Sequence, residues 1–286
     1  MITAMPRIAI AVEDFDAAVA TFRDVLGMPV VDFSPRTVAS LGAHVGMCVP
    51  PGGSNIELMA PADPAAPLSQ ALRSTLDRRG EGLYALMLEA PDPDAEAVQL
   101  AGRGLDVMPL MPGAGGRDVH PRSTHGVLVR VYPNDSATTG EVAGSGDLGL
   151  SGIMRVVIAT ADASLAATAY GDGFGLPADA AVDDPERGIR VVECHPPKGG
   201  VIELVSVLDS SRPFAQAVAR CVKERHGGLF ALVLHAPDPG RAMSRLAQLG
   251  CTSPDGAADE ATIFGTRLII RRPTQPATST RGSCAG

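Results

Sequence analysis

Two ten-residue stretches carry the residues best suited to proton chemistry, and they carry them at matching positions. Residues 48–57 read Cys-Val-Pro-Pro-Gly-Gly-Ser-Asn-Ile-Glu, and residues 194–203 read Cys-His-Pro-Pro-Lys-Gly-Gly-Val-Ile-Glu. Each predicts a strand, a Pro/Gly turn and a second strand with one carboxylate, Glu57 or Glu203, among apolar neighbours. An acid so placed needs a charged or hydrogen-bonding partner, or a role as acid or base. Near the second turn stand Glu193 and His195. If His195 pairs with Val201, then Glu193 faces Glu203, and two close carboxylates make an acid/base pair with one pKa pushed up. A one-residue slip puts Glu193 on the other face. His120, Arg122 and His125 sit in a pre-strand loop, which is either solvated surface or a contact for a ligand's phosphate or carboxylate. The five cysteines (Cys48, Cys194, Cys221, Cys251, Cys284) show no C-x-x-C pair and no His/Asp constellation for thiol catalysis. The glycine-rich loop 112–116 lacks the strand-to-helix setting of a phosphate cradle.

Bulk properties narrow the classes. A length of 286 residues suits about two domains, and 45% apolar with 20% charged residues is a globular composition. The net charge of −8, the absence of tryptophan and only 3% aromatics exclude a general nucleic-acid surface. No apolar run approaches the ~18 residues of a membrane span. Scattered cysteines, and a start that runs straight into strand-like sequence, lead to the expectation of free thiols in a reducing cytoplasm.

The elements that must position the acids follow a recurring pattern. A β run at 7–12 leads to Asp14 as N-cap, a helix over 15–26 stopped by Gly27, and strands at 38–41, 45–49 and 55–59. A connecting helix runs from Pro67 to about Arg79. The pattern restarts with a strand at 82–88, a helix at 91–101, and strands at 107–110 and 127–131. Residues 134–149 read as a linker and 274–286 as a frayed tail. The second half then repeats the first. An offset of 146 residues separates Glu57 from Glu203, Pro67 from Pro213 and Tyr84 from Phe230. Duplication over the whole length outranks any single motif.

Four segments, Arg7-Ile-Ala-Ile-Ala-Val-Glu-Asp, Ile56-Glu-Leu-Met-Ala-Pro, Arg79-Gly-Glu-Gly-Leu and His120-Pro-Arg-Ser-Thr-His-Gly-Val-Leu-Val, appear in an order and spacing that resembles the glyoxalase, or vicinal oxygen chelate, superfamily. The first half is similar to methylmalonyl-CoA epimerases. The resemblance implies an α+β fold of four βαβββ modules, paired into two glyoxalase-like domains with curved mixed sheets. The first domain is 1–133 (modules about 5–62 and 80–133), and the second is 150–273 (modules about 152–208 and 226–273).

The family holds a divalent metal in each cup with two His, a Glu or Gln, and a final Glu. Carried over by position, these fall on Arg7, Glu57, Ala85 and Arg130 in the first half. In the second half they fall on Arg155, Glu203, Ala231 and either Ile270 or Arg271. A guanidinium offers no lone pair, so the expectation is no metal and no other cofactor. The functional reading makes Glu57 or Glu203, with Glu193, the base, and Arg7, Arg130 or Arg155 the oxyanion stabilisers. Tyr84, Phe230, Arg271, His120 and Arg122 would then contact the substrate. The implied activity is isomerase, epimerase or lyase-type proton transfer beside the carbonyl of a small acyl-thioester or keto compound. The bland reading makes Arg7–Glu57–Arg130 a buried ion triad. Rival roles are sequestration of a small molecule such as an antibiotic, and a degenerate half that merely supports the other. The expected partner is a small molecule, with no nucleic acid and no membrane; a homodimer is compatible with this reading.

Overall fold

A computed structural model describes residues 1–111, 113, 115–136, 146–253 and 255–273. The expected tail 274–286 and most of the expected linker lie outside these. The first strand sets the logic of the molecule. In β1 (Ala4–Ala11), Ile8 and Ile10 enter one core while Ala9 and Ala11 enter another, with Arg7 on their face. Period-two alternation thus gives each strand a face for each core.

The first unit continues through α1 (Phe15–Ala20), β2 (Val30–Asp32), α2 (Ser34–Leu41), β3 (Ala43–Cys48), β4 (Asn55–Pro61), α3 (Pro67–Arg79), β5 (Gly82–Ala90), α4 (Pro93–Gly102), β6 (Arg117–Val119) and β7 (Val129–Pro133). Its strands form one mixed sheet in the order β2-β3-β4-β1-β5-β7-β6, with β1 parallel to β4 and antiparallel to β5. The second unit contains β8 (Ile153–Ala159), α5 (Ala163–Thr168), β9 (Val182–Asp184), β10 (Ile189–Cys194), β11 (Val201–Val207), α6 (Pro213–Arg225), β12 (Gly228–His235), α7 (Pro239–Gln248), β13 (Glu260–Ile263) and β14 (Thr266–Arg271). Its sheet order, β13-β14-β12-β8-β11-β10-β9, repeats the topology.

One face of each sheet, the one expected to line the cup, is covered by the connecting helix. Leu68, Leu72 and Leu76 recur every four residues along α3 and pack on Ala9, Ala11, Ala85 and Met87. Burial of each such leucine contributes about 1.5–3 kcal/mol. In the second unit α6 covers Val157, Val205 and Ala231 with Ala215 and Val218. The other faces merge, with α1, α4, α5 and α7, into a core that runs across both units. There Phe22 stacks on Phe264 at 6.4 Å, and the Tyr170 hydroxyl donates to the Thr124 carbonyl at 3.1 Å.

The repeated Pro/Gly turns fasten the units together. Met5 bridges Gly199 and Ser54 bridges Ile153. The Ser54 hydroxyl donates to the Met5 carbonyl and accepts from the Gly200 amide at 2.9 Å. A Cβ on Gly199 would lie 2.2 Å from the Met5 carbonyl oxygen, and one on Gly53 would lie 2.3 Å from that of Ile153. Backbone touches backbone here, and only glycine leaves the room.

Two expected strands are not strands. Residues 38–41 belong to α2, where Pro35 presets the first turn and Gly42, at φ 68°, stops the helix. The Thr37 and Ser40 hydroxyls bond back to the Phe33 and Arg36 carbonyls, which absorbs polar groups that would otherwise compete with the helix. Residues 107–110 keep a single bridge, Val107 to Val119, since Pro109 withholds a ladder donor. The second and fourth modules are therefore βαββ rather than βαβββ among the described residues.

Candidate functional site

Strand register places all four carried-over positions of the first unit on the cup face. Ala9 on β1 lies between Glu57 on β4 and Ala85 on β5, while Arg7 pairs with Met87, which pairs with Arg130 on β7. Arg7 and Glu57 form a buried ion pair, Nε to Oε2 at 3.2 Å. Arg7 Nη1 also donates to Ser136 Oγ at 3.1 Å, and its guanidinium lies 4.7 Å from the centre of the Tyr132 ring. Among the described residues no protein group bonds Glu57 Oε1. Both residues line a cavity of about 630 Å³. Its walls are Met47 and Met59 from the sheet, Leu68 from α3, Tyr132 from β7, and Arg36 and Leu41 from α2.

The expected triad is a dyad. Arg130 is fully buried and pairs not with Glu57 but with Asp118, its cross-strand neighbour on β6, Nε to Oδ1 at 2.7 Å. Tyr132 stands between the two arginines, 5.6 Å from that of Arg130. Burial acts to lower the Arg130 pKa, but Tyr132 and Asp118 outweigh it and hold the guanidinium charged. Its Nη1 has no hydrogen-bond partner among the described residues. Tyr84 is partly buried near Arg130 and Asp118, with its pKa raised by desolvation, and is not part of the cavity wall.

The second cup is closed by its own side chains. Glu193 and Glu203 are directly opposed, so the register with the two acids on one face is correct. They do not form a free acid/base pair, because Arg155 contacts Glu193 and lies 3.6 Å from Glu203 Oε2. Glu203 Oε1 takes a second arginine, Arg187 Nη1, at 2.6 Å. Burial works to lower the Arg187 pKa, yet Glu203 and Asp184 raise it overall. Phe230 meets Phe214 edge-on at 5.6 Å, carries Arg267 4.6 Å above its ring, and borders a cleft of about 190 Å³ beside Cys221 and Arg267 that does not include Glu203.

The fourth position of this unit is neither Ile270 nor Arg271. Arg130 pairs with Met87, and the residue that pairs with Val233, 146 positions beyond Met87, is Ile269. Arg271 instead bonds Asp259 at 3.3 Å and is half-exposed. Likewise Glu260 faces Ile269 as Asp118 faces Arg130, and it has found Arg267 at 3.0 Å. His120 and Arg122 lie outside the cup. His120 Nδ1 accepts from the Arg122 amide at 3.1 Å, and the Arg122 side chain contacts Asp106. The buried Cys48 and Cys194 thiols are pushed up by desolvation, Cys194 to about 12, which keeps them protonated.

The donors at these positions do not fit a divalent cation. The first set holds one carboxylate, already bonded to a guanidinium, with an Arg130 nitrogen that has no acceptor among the described residues. The second set, Arg155, Glu203, Ala231 and Ile269, again offers one paired carboxylate.

Several residues of the site escaped the sequence reading. Asp118 and Tyr132 share the Arg130 face by simple alternation, a signal that was available. Phe33, Arg36 and Leu41 reach the cavity only because 34–41 is helical.

Fold and site define a class. Residues 7–120, most of the first unit, match the family profile described as the Glyoxalase/Bleomycin resistance protein/Dioxygenase superfamily. The second unit repeats its topology, so the chain is a tandem of two such folds. A mutant of 4-hydroxymandelate synthase from Streptomyces coelicolor superposes with a TM-score of 0.59 at 14% identity, over 88% of this chain and 76% of the other. A xylose isomerase-like TIM barrel/4-hydroxyphenylpyruvate dioxygenase fusion protein gives 0.60 at 16% identity, over 98% of this chain and 51% of the other. Methylmalonyl-CoA epimerase from Mycobacterium tuberculosis is 26% identical over 49% of this chain and 93% of its own, with a TM-score of 0.38. No curated protein matches at the sequence level.

Proposed function

We propose that the first cup binds a small, largely apolar compound bearing a carbonyl, and that Glu57 moves a proton next to that carbonyl without the family's metal. The observation that carries this is the asymmetry of the two acids at matching positions of the repeat. Among the described residues Glu57 keeps one oxygen free of protein partners at the edge of an open cavity, whereas both oxygens of Glu203 lie against arginines. Arg7 holds the other oxygen of Glu57 and supplies positive charge beside it, where an enolate oxygen would develop. An acyl-thioester or keto compound meets these requirements, and the second cup serves as structural support.

Binding without chemistry is the second reading, favoured by the apolar side chains of Met47, Met59 and Leu68 in the cavity wall. Deuterium exchange at the α-carbon of candidate acyl-thioesters and keto acids separates the two. Glu57→Gln should lose exchange by about 10²–10⁴-fold, the usual contribution of a positioned base, while Glu203→Gln keeps it. Exchange that persists in Glu57→Gln sinks the proton-transfer assignment. Ligand binding without exchange in the native protein establishes sequestration.

A further inference from the structure

In and just before the two repeated stretches stand two residues of the second unit that the proton chemistry leaves unused. Where the first unit has Met47 and Val49, the second has Glu193 and His195. Residues two apart on a strand share a face, so both point to the side on which Glu193 opposes Glu203. The segment before β9 then adds a third group. Asp179 N donates to the Glu193 carbonyl at 2.9 Å, His195 N donates to the Pro177 carbonyl at 2.8 Å, and Ala178 bridges Cys194. This short ladder locks Asp179 beside the other two. Asp179 Oδ2 is 2.8 Å from His195 Nε2, and one ligand atom from each of Asp179, Glu193 and His195 lies within 4.8 Å of the others.

Charge around the cluster favours a cation. Asp179, Asp184 and Glu193 border a cleft of about 250 Å³, with Glu203 behind them. Four carboxylates here meet two guanidiniums, Arg155 and Arg187, both already engaged. With His195 neutral the surroundings keep two uncompensated negative charges. An imidazole with two carboxylates suits borderline divalent ions, and a cluster that is part-exposed on every member leaves coordination positions for water.

We propose that Asp179, Glu193 and His195 form a binding site for a divalent transition metal of the Zn²⁺/Co²⁺ class, at the rim of the second cup. The ion replaces the proton in the His195–Asp179 contact. Arg155 fixes the orientation of Glu193 from behind, as supporting groups do around metal ligands. None of the three residues is at a position the superfamily's metal would use here, which are Arg155, Glu203, Ala231 and Ile269. The site is independent of the chemistry assigned to the first cup.

The test is a titration of tag-free protein with Co²⁺, followed by visible ligand-field absorption, with Zn²⁺ competition measured by calorimetry. One equivalent should bind, and His195→Ala or Asp179→Asn should weaken binding by about tenfold or more. Both side chains are at the surface, and circular dichroism checks that the variants are folded. Glu57→Gln should bind Co²⁺ like the native chain. Absence of saturable binding, affinity unchanged in both His195→Ala and Asp179→Asn, or loss of binding in Glu57→Gln would each overturn the assignment. The readout is spectroscopic, so failure of the exchange assay leaves it untouched.

Discussion

Arg7 and Arg130 share a sheet face but differ in their partners. Arg7 holds a glutamate that lines an open cavity, and Arg130 is sealed against Asp118 with neither group facing water. Two charges in such a place attract strongly but have each lost their hydration, so the pair stabilises little while its rupture costs much. Asp118→Ala should therefore lower stability by about 3–5 kcal/mol in denaturant unfolding, because it strands the Arg130 charge. Asp118→Ala combined with Arg130→Met should recover most of that loss. A double variant no more stable than Asp118→Ala alone would show that the ion pair is not the source of the effect.

At the scale of elements, α2 and the Pro/Gly turns separate the two units functionally. Helix α2 walls the first cavity, while the second unit has only the turn 185–188 in its place. The turns act as joints between sheets, which gives Gly199 and Gly52 different sensitivities. Gly199→Ala drives a Cβ toward the Met5 carbonyl and should cost about 1–3 kcal/mol in thermal or urea unfolding. Gly52, at φ +75°, has nothing within 4 Å of a Cβ, so Gly52→Ala should cost only the left-handed strain, about 1–2 kcal/mol at most. Equal stability of native protein and Gly199→Ala would mean that the joint relaxes freely.

Over the whole molecule, the two units share one core. Phe22 reaches Phe264, Tyr170 bonds Thr124, and Gly173 sits against Leu105, so each unit completes the other. A separated first unit, residues 1–136, should expose this surface and self-associate or lose cooperative melting, as followed by analytical ultracentrifugation and circular dichroism. A stable monomer with a sharp transition would show that the shared core is dispensable. Among the described residues no helix is long and apolar enough to cross a membrane.

What the sequence by itself determined was whatever depends on local pattern and repetition. The period-two alternation of β1, the Asp14 cap, the connecting helix from Pro67 to Arg79 and the 146-residue offset all appear where the chain places them. Glu57 and Glu203 were legible as the acids to explain because a carboxylate breaks an apolar strand. The exchange of partners was not legible. Arg130 could satisfy Glu57 or Asp118 equally well by charge, and only the pairing of β6 with β7 chose Asp118. Residues 34–41 could be strand or helix over so short a run, and Gly42 with the covering cup decided for helix. Whether a cup is open or shut depends on how far side chains from separate elements interpenetrate. Arg187 and Phe214 close the second around Glu203, and the first stays open beside Glu57. Packing between distant segments made that choice, and no local pattern encodes it.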